Sequence, residues 1–379
     1  TFWVMILPTL NGSNRRPSGF NCWLQAGLRS VAATVRTIRS NEALAGRPAG
    51  GVARVFSAKA DAYLKPVYPD AGPGAAAIVV EDGKVVFAAG RGLADIEAKV
   101  PITPATVFRL GSITKQFTST VILQLTEEGK LSLSDPLSKF PPDYPKPGAD
   151  ATIAQLLNHT SGIKSYTDIP GWIAAGNAAR PFTTEQLIAE FKDQPNDFDA
   201  GAKFRYNNSG YVLLGAVIEK VTGKAWHVAV DERIARPLGL KTIRYGMLET
   251  STPQMAQGYT DKDGTALPAQ AIHMSVPHAA GAVTGSVEDL ARWAEALHNG
   301  EVLKPESYAR MIAASKLSDG ETVDYGMGIR QAKLRGHGLI GHGGGIFGFN
   351  TASSYLPAVD VFVAVFGLSH KPRVDPQVA

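Results

Sequence analysis

The chain holds 379 residues, 44% of them apolar, with one cysteine, 24 prolines, 39 glycines and a formal net charge of +4. At about 150 residues per domain, the length predicts two domains or one large composite one, and the composition excludes a collagen, a disordered tail protein and a disulfide scaffold. No apolar run reaches the roughly 18 residues that a spanning helix needs, so membrane association is not expected.

The positive charge sits at the start. Residues 1–50 carry Arg15, Arg16, Arg29, Arg36, Arg39 and Arg47 against Glu42 alone, a net of +5, which leaves −1 for the other 329 residues. A near-neutral body has no basic surface of the kind that draws nucleic acid, and no such partner is expected. Residues 1–50 are set apart as an N-terminal extension. They begin with Thr1, their apolar opening is broken by Pro8, and positive charge follows that opening rather than precedes it, unlike a secretory signal. A basic amphipathic helix over 28–39 has transit-peptide character; a translated upstream or vector-derived stretch is the other reading. The lone Cys22 lies here too, so cysteine usage assigns no compartment, and bacterial periplasm and cytoplasm both stay open.

After a Gly/Pro-rich linker at 45–51, a helix is expected over 52–68. Apolar runs at 75–80 and 84–89, joined through Glu81-Asp82-Gly83, predict a hairpin. From about 106 to 290 the pattern is helical. Its clearest stretch, 110–128, is apolar on nearly every side and stopped by Gly129. Helices are expected at 152–158, 184–192, 209–221 and 287–298. Strands return at 325–333, 346–355 and 359–368. This predicts an α/β (α+β) fold: an antiparallel sheet formed by the N- and C-terminal segments, flanked by helices, with an inserted mostly helical domain. The expected division is 51–105 plus 291–379 for the sheet domain and 106–290 for the helical domain, with a cleft at their seam.

Several motif matches fail on context. Gly336 to Gly341 satisfies G-x-G-x-x-G, but a strand pattern follows it rather than the helix a pyrophosphate needs. His337 and His342 lack zinc spacing, no P-loop occurs, and no Ser lies in G-x-S-x-G. Neither metal nor cofactor is expected.

Ser112-Ile113-Thr114-Lys115 is S-x-x-K at the start of the 110–128 helix. The spacing sets Lys115 one turn from Ser112 on the same face. A helix N-terminus favours a developing oxyanion, and burial lowers an amine's pKa so that it can relay a proton. Ser161-Gly162-Ile163-Lys164 matches as well but lies in a loop after a short helix, with Lys164 read as a solvated surface residue. Tyr206-Asn207-Asn208, just before a helix opened by Ser209, offers a phenol for general base duty. It also offers an amide at Asn208 that can orient a carbonyl or hold the lysine. His342-Gly343-Gly344-Gly345, at the opening of a strand, lets backbone approach a ligand closely, and an N–H there with that of Ser112 can form an oxyanion hole.

In this order the three motifs resemble the serine β-lactamase and penicillin-binding-protein superfamily, in its class C β-lactamase-like branch. That branch includes D-Ala-D-Ala carboxypeptidases and family VIII carboxylesterases. Further stretches are similar: 108–112, 156–162, 206–215, 237–240 and 342–349, so the resemblance spans 75–368. It implies a β-lactamase/transpeptidase-like fold with Ser112 as nucleophile and Lys115 and Tyr206 sharing base and acid duties. It also implies substrate positioning by Asn208, His342 and Gly344, and an oxyanion hole from the N–H groups of Ser112 and Gly345. The expected activity is a serine hydrolase working through an acyl-enzyme, a carboxylesterase with β-lactam hydrolysis beside it. A class C-type β-lactamase, a D-Ala-D-Ala carboxypeptidase and a penicillin-binding sensor without turnover are the alternatives. The expected partner is a small ester or a β-lactam- or peptide-like molecule. Two departures bear on this. His342 stands where class C enzymes carry the lysine that binds the β-lactam carboxylate, which favours neutral esters or peptide-like substrates. The chain also ends at Ala379, where relatives add a helix, so the N-terminal helix is expected to cover that face unless the chain is truncated.

Overall fold

Strands β1 (Ala75–Glu81) and β2 (Lys84–Arg91) form the expected hairpin. Asp82 and Gly83 both adopt positive φ, +49° and +69°, the tight turn whose twist suits paired strands. The computed structural model describes residues 62, 64, 65, 67–140, 143–247, 254–334 and 336–368. Four late strands complete the sheet: β3 (Arg330–Leu334), β4 (His337–Ile346), β5 (Phe349–Leu356) and β6 (Val361–Leu368). The order is β3-β4-β5-β6-β1-β2, and every neighbouring pair is antiparallel. The two ends of the body therefore meet where β1 pairs with β6, Ile78 opposite Ala364.

Because successive strand residues face opposite sides, β6 feeds two cores. Phe362, Ala364, Phe366 and Leu368 join Ala76 and Ile78 in the main core, whereas Val361, Val363 and Val365 join Ala77, Val79 and Leu64 on the other face. Most of the helix expected over 52–68 lies outside the described residues.

The inserted region packs on the first face. A 3₁₀ turn, Gly111–Ile113, leads into α1 (Thr114–Glu127). Helix α1 packs against α2 (Asn208–Thr222) and α3 (His278–Gly281). Its all-round burial is not all apolar: Thr114, Lys115, Gln116, Thr118, Ser119 and Thr120 are buried too. Their polar atoms find partners, as Thr118 Oγ1 does on the Ala279 carbonyl at 2.7 Å and Ser119 Oγ on Tyr211 Oη at 3.1 Å. Helix α4 (Val287–His298), with the bounds the pattern predicts, lies across β1 and β6 and is capped by Ser286.

Three strand expectations need correction. The segment expected from 325 pairs in the sheet only from Arg330, because Gly328 takes a positive φ of +78° and turns the chain before it. The strand expected over 346–355 begins only at Phe349, since Phe347-Gly348 form a hairpin turn that sets Ile346, the last residue of β4, opposite Phe349. The glycine run 343–345 consequently lies near the end of β4 rather than opening a strand. The helix expected over 184–192 is regular only from Thr184 to Ala189.

Candidate active site

Ser112 sits in the 3₁₀ turn ahead of α1, partly exposed between the buried Gly111 and Ile113. Its turn is fixed to the sheet from below. Thr351 Oγ1 on β5 donates to the Leu110 carbonyl at 2.8 Å. Strand β3 pairs with β4 only as far as Gly341, so residues 342–346 leave one edge open within the sheet, and the Ser112 turn lies beside them. A β-carbon built on Gly111 would come 2.9 Å from the Gly345 nitrogen. That close approach, with φ +53° at Gly111, is why glycine is needed there.

Lys115 is fully buried, and its Nζ lies 3.2 Å from Ser112 Oγ, 2.9 Å from Asn208 Oδ1 and 2.8 Å from the Ala280 carbonyl. An amide oxygen and a carbonyl oxygen can only accept. They take two N–H groups, and the remaining position of the nitrogen faces the serine hydroxyl. Burial first, and the positive Arg330 second, hold the amine well below the ordinary lysine range, toward the neutral form whose lone pair can take the hydroxyl proton.

Asn208, the first residue of α2, is fixed at three points. Its backbone N–H donates to Ser165 Oγ at 3.1 Å, its Nδ2 to Thr167 Oγ1 at 3.2 Å, and its Oδ1 accepts from Lys115. Both ends of the amide are engaged within the protein, so in this state it holds the lysine. Tyr206 precedes the Asn207 cap. The Lys115 nitrogen lies 4.8 Å from the Tyr206 ring centroid and the Arg330 guanidinium 5.3 Å from it.

His342 is 4% exposed and turned inward. Its Nδ1 lies 2.6 Å from the Gly343 carbonyl and its Nε2 2.9 Å from Tyr325 Oη. The carbonyl requires the proton on Nδ1, which leaves Nε2 to accept from the phenol. Burial, then Arg330 and Lys115, keep this ring neutral by lowering its pKa well below the ordinary histidine value. Lys164 is not solvated as expected: its Nζ pairs with Asp197 at 3.0 Å, and Arg205 reaches the other oxygen at 3.1 Å.

Arg330, Tyr325 and His159 border this site without having been singled out as site residues. Arg330, half-buried on β3, has no carboxylate partner among the described residues, and its guanidinium lies against Tyr206 and Tyr325. The absent lysine at His342 is the one sequence signal that calls for such a cation. Among the described residues, no group of three or more His, Cys, Asp or Glu side chains is arranged to hold a metal ion.

A buried lysine against a serine at the head of a helix, inside an antiparallel-sheet fold, defines a serine hydrolase of the β-lactamase-like class. The chain belongs to the beta-lactamase family, whose profile matches residues 61–377. A penicillin-binding protein homologue from Pyrococcus abyssi is 32% identical, with TM-score 0.70 over 85% of this chain and 74% of that one. A D-stereospecific amidohydrolase from Streptomyces sp. is 30% identical, with TM-score 0.69 over 81% and 92%. Esterase EstB of Burkholderia gladioli is 30% identical over 62% of this chain and 68% of its own. The chain spans as little as 50% of the length of other curated relatives.

Proposed function

We propose that the chain hydrolyses carboxylic esters through an acyl-enzyme on Ser112. The observation that carries this reading is the 3.2 Å approach of Lys115 Nζ to Ser112 Oγ, with its other two contacts on groups that only accept. Neutral Lys115 takes the hydroxyl proton as Oγ attacks the ester carbonyl. The N–H groups of Ser112 and Gly345 receive the oxyanion, in keeping with the close packing of Gly111 on Gly345. Tyr206, beside Lys115, passes the proton to the departing alkoxide, which leaves as the alcohol. A water then attacks the acyl group and gives one proton to the Lys115–Tyr206 pair, which returns it to Ser112 Oγ as the C–Oγ bond breaks and the carboxylic acid leaves.

Arg330 favours a second reading. His342 is neutral and Lys164 is paired, so Arg330 is the cation beside Tyr206 that can meet a substrate carboxylate. That group is what a β-lactam or a short D-amino-acid peptide presents, and similarity to a D-stereospecific amidohydrolase agrees with it. Hydrolysis of p-nitrophenyl butyrate by wild type and Ser112→Ala tests the shared chemistry. The variant is expected to lose activity by at least about a thousandfold; retained activity rejects the assignment. Nitrocefin assayed alongside separates the two substrate readings.

A further inference from the structure

We propose that His159 is a positioning residue that sets Tyr206 for proton transfer; this rests on the reading of Tyr206 as an acid–base group. The imidazole is 1% exposed and lies directly against Tyr206, with ring centroids 4.4 Å apart, and Tyr325 and Tyr211 enclose it at 4.7 and 5.3 Å. Its bonds bracket the tyrosine. The N–H of Arg205 donates to the His159 carbonyl at 3.0 Å, and the N–H of Asn207 donates to His159 Nδ1 at 3.1 Å. Tyr206 is the single residue between these two anchors. Asn207 leaves no slack on the far side, because its Oδ1 caps α2 at the Gly210 N–H and its Nδ2 donates to the Ile163 carbonyl.

A side chain that only filled this space would not be a histidine. A backbone N–H can only donate, so Nδ1 is the acceptor and the proton sits on Nε2. That Nε2–H is buried and has no hydrogen-bond partner among the described residues. An unmade hydrogen bond is a cost that a phenylalanine would avoid. The residue also holds a positive φ of +64°, uncommon for residues other than glycine, though histidine, asparagine and aspartate adopt it more readily than most. Both costs persist where the ring touches Tyr206 and carries the acceptor for the next residue, which matches strain retained at working sites.

Two substitutions separate ring filling from anchoring. His159→Phe keeps the ring and removes the acceptor. His159→Asn offers Oδ1 near the place of Nδ1 and tolerates the backbone. With p-nitrophenyl butyrate, His159→Phe is expected to lower kcat about 10- to 100-fold with KM changed less than about threefold, as a misplaced group does. His159→Asn should recover most of that loss. In a Tyr206→Phe background, adding His159→Phe should cost less than about threefold, because the two residues act as one unit. The proposal is overturned if His159→Phe keeps wild-type kcat, if His159→Asn is equally impaired, or if the loss is undiminished in the Tyr206→Phe background. Should His159→Phe fail to fold by thermal melt, His159→Leu, which likewise lacks an acceptor for the Asn207 N–H, takes its place under the same expectations. Tyr206→Phe alone isolates the underlying reading: unchanged kcat there removes Tyr206 from the mechanism, and the role of His159 with it.

Discussion

A β-carbon placed on Gly344 would stand 1.9 Å from the carbonyl oxygen of Leu110 and 2.5 Å from Thr351 Oγ1. Strand β4 and the segment leading to Ser112 are in backbone contact there, with no room for a side chain. Gly344→Ala must therefore push the Ser112 turn off the sheet. We expect loss of at least about a hundredfold in kcat/KM for p-nitrophenyl butyrate, the scale of a misplaced oxyanion donor. One residue earlier, a β-carbon on Gly343 would meet only the Thr351 carbonyl, at 3.5 Å, an ordinary contact. Gly343→Ala should stay within a few-fold of wild type; equal behaviour of the two variants would contradict this packing.

Arg330 lowers the Lys115 pKa after burial has done so. The amine reacts when neutral, so activity rises with pH through the Lys115 folded value. Removing the guanidinium raises that value. Arg330→Gln is thus expected to shift the acid limb of kcat/KM for a neutral ester to higher pH, this profile reporting the free enzyme. It should also raise KM for a carboxylate-bearing ester by about tenfold relative to its methyl ester, as the loss of one charge-assisted hydrogen bond does. A limb that stays put, or equal effects on both esters, would contradict the placement of this cation.

Burial pushes His278 down to about 3 and His298 down to about 4. In the unfolded chain these rings take protons near ~6.5, so between that pH and their folded values the unfolded state holds more protons. Stability is full above the unfolded value and falls as pH drops through the window. Thermal melts should show Tm decreasing steadily from pH 7 to pH 4. A flat Tm over that range would mean the two rings are protonated in the fold.

The second S-x-x-K match has no catalytic arrangement around it. Ser161 is buried, and Lys164 pairs with Asp197. Ser161→Ala and Lys164→Ala should each keep ester hydrolysis within about threefold of wild type, since neither touches the Ser112–Lys115 pair and Asp197 still has Arg205. Loss on the scale of Ser112→Ala in either variant would contradict the choice between the motifs.

Local spacing made much of this legible. The i, i+3 relation of Ser112 and Lys115 needs only helix geometry, and the glycines after α2 and α4 mark their ends by the αL conformation. What escaped depends on pairing between distant segments. The inward turn of His342 follows from the register of β4 on β5, with His342 opposite Ser353. A glycine-rich strand with little apolar alternation does not announce that register. Whether Asn208 orients a carbonyl or holds the lysine stayed open, because nothing in the sequence places Thr167 and Lys115 at the two ends of its amide. Arg330 emerged only once β3 was laid beside β4, with Arg330 opposite Gly341.

The most direct test of the account is acid-quenched intact-mass measurement during turnover of p-nitrophenyl butyrate, followed by peptide mapping. The account predicts a transient gain of one butyryl group, mapped to Ser112, that decays as butyrate appears and is absent in Ser112→Ala. Hydrolysis without any adduct, an adduct on another residue, or a lasting adduct with no released acid would contradict it.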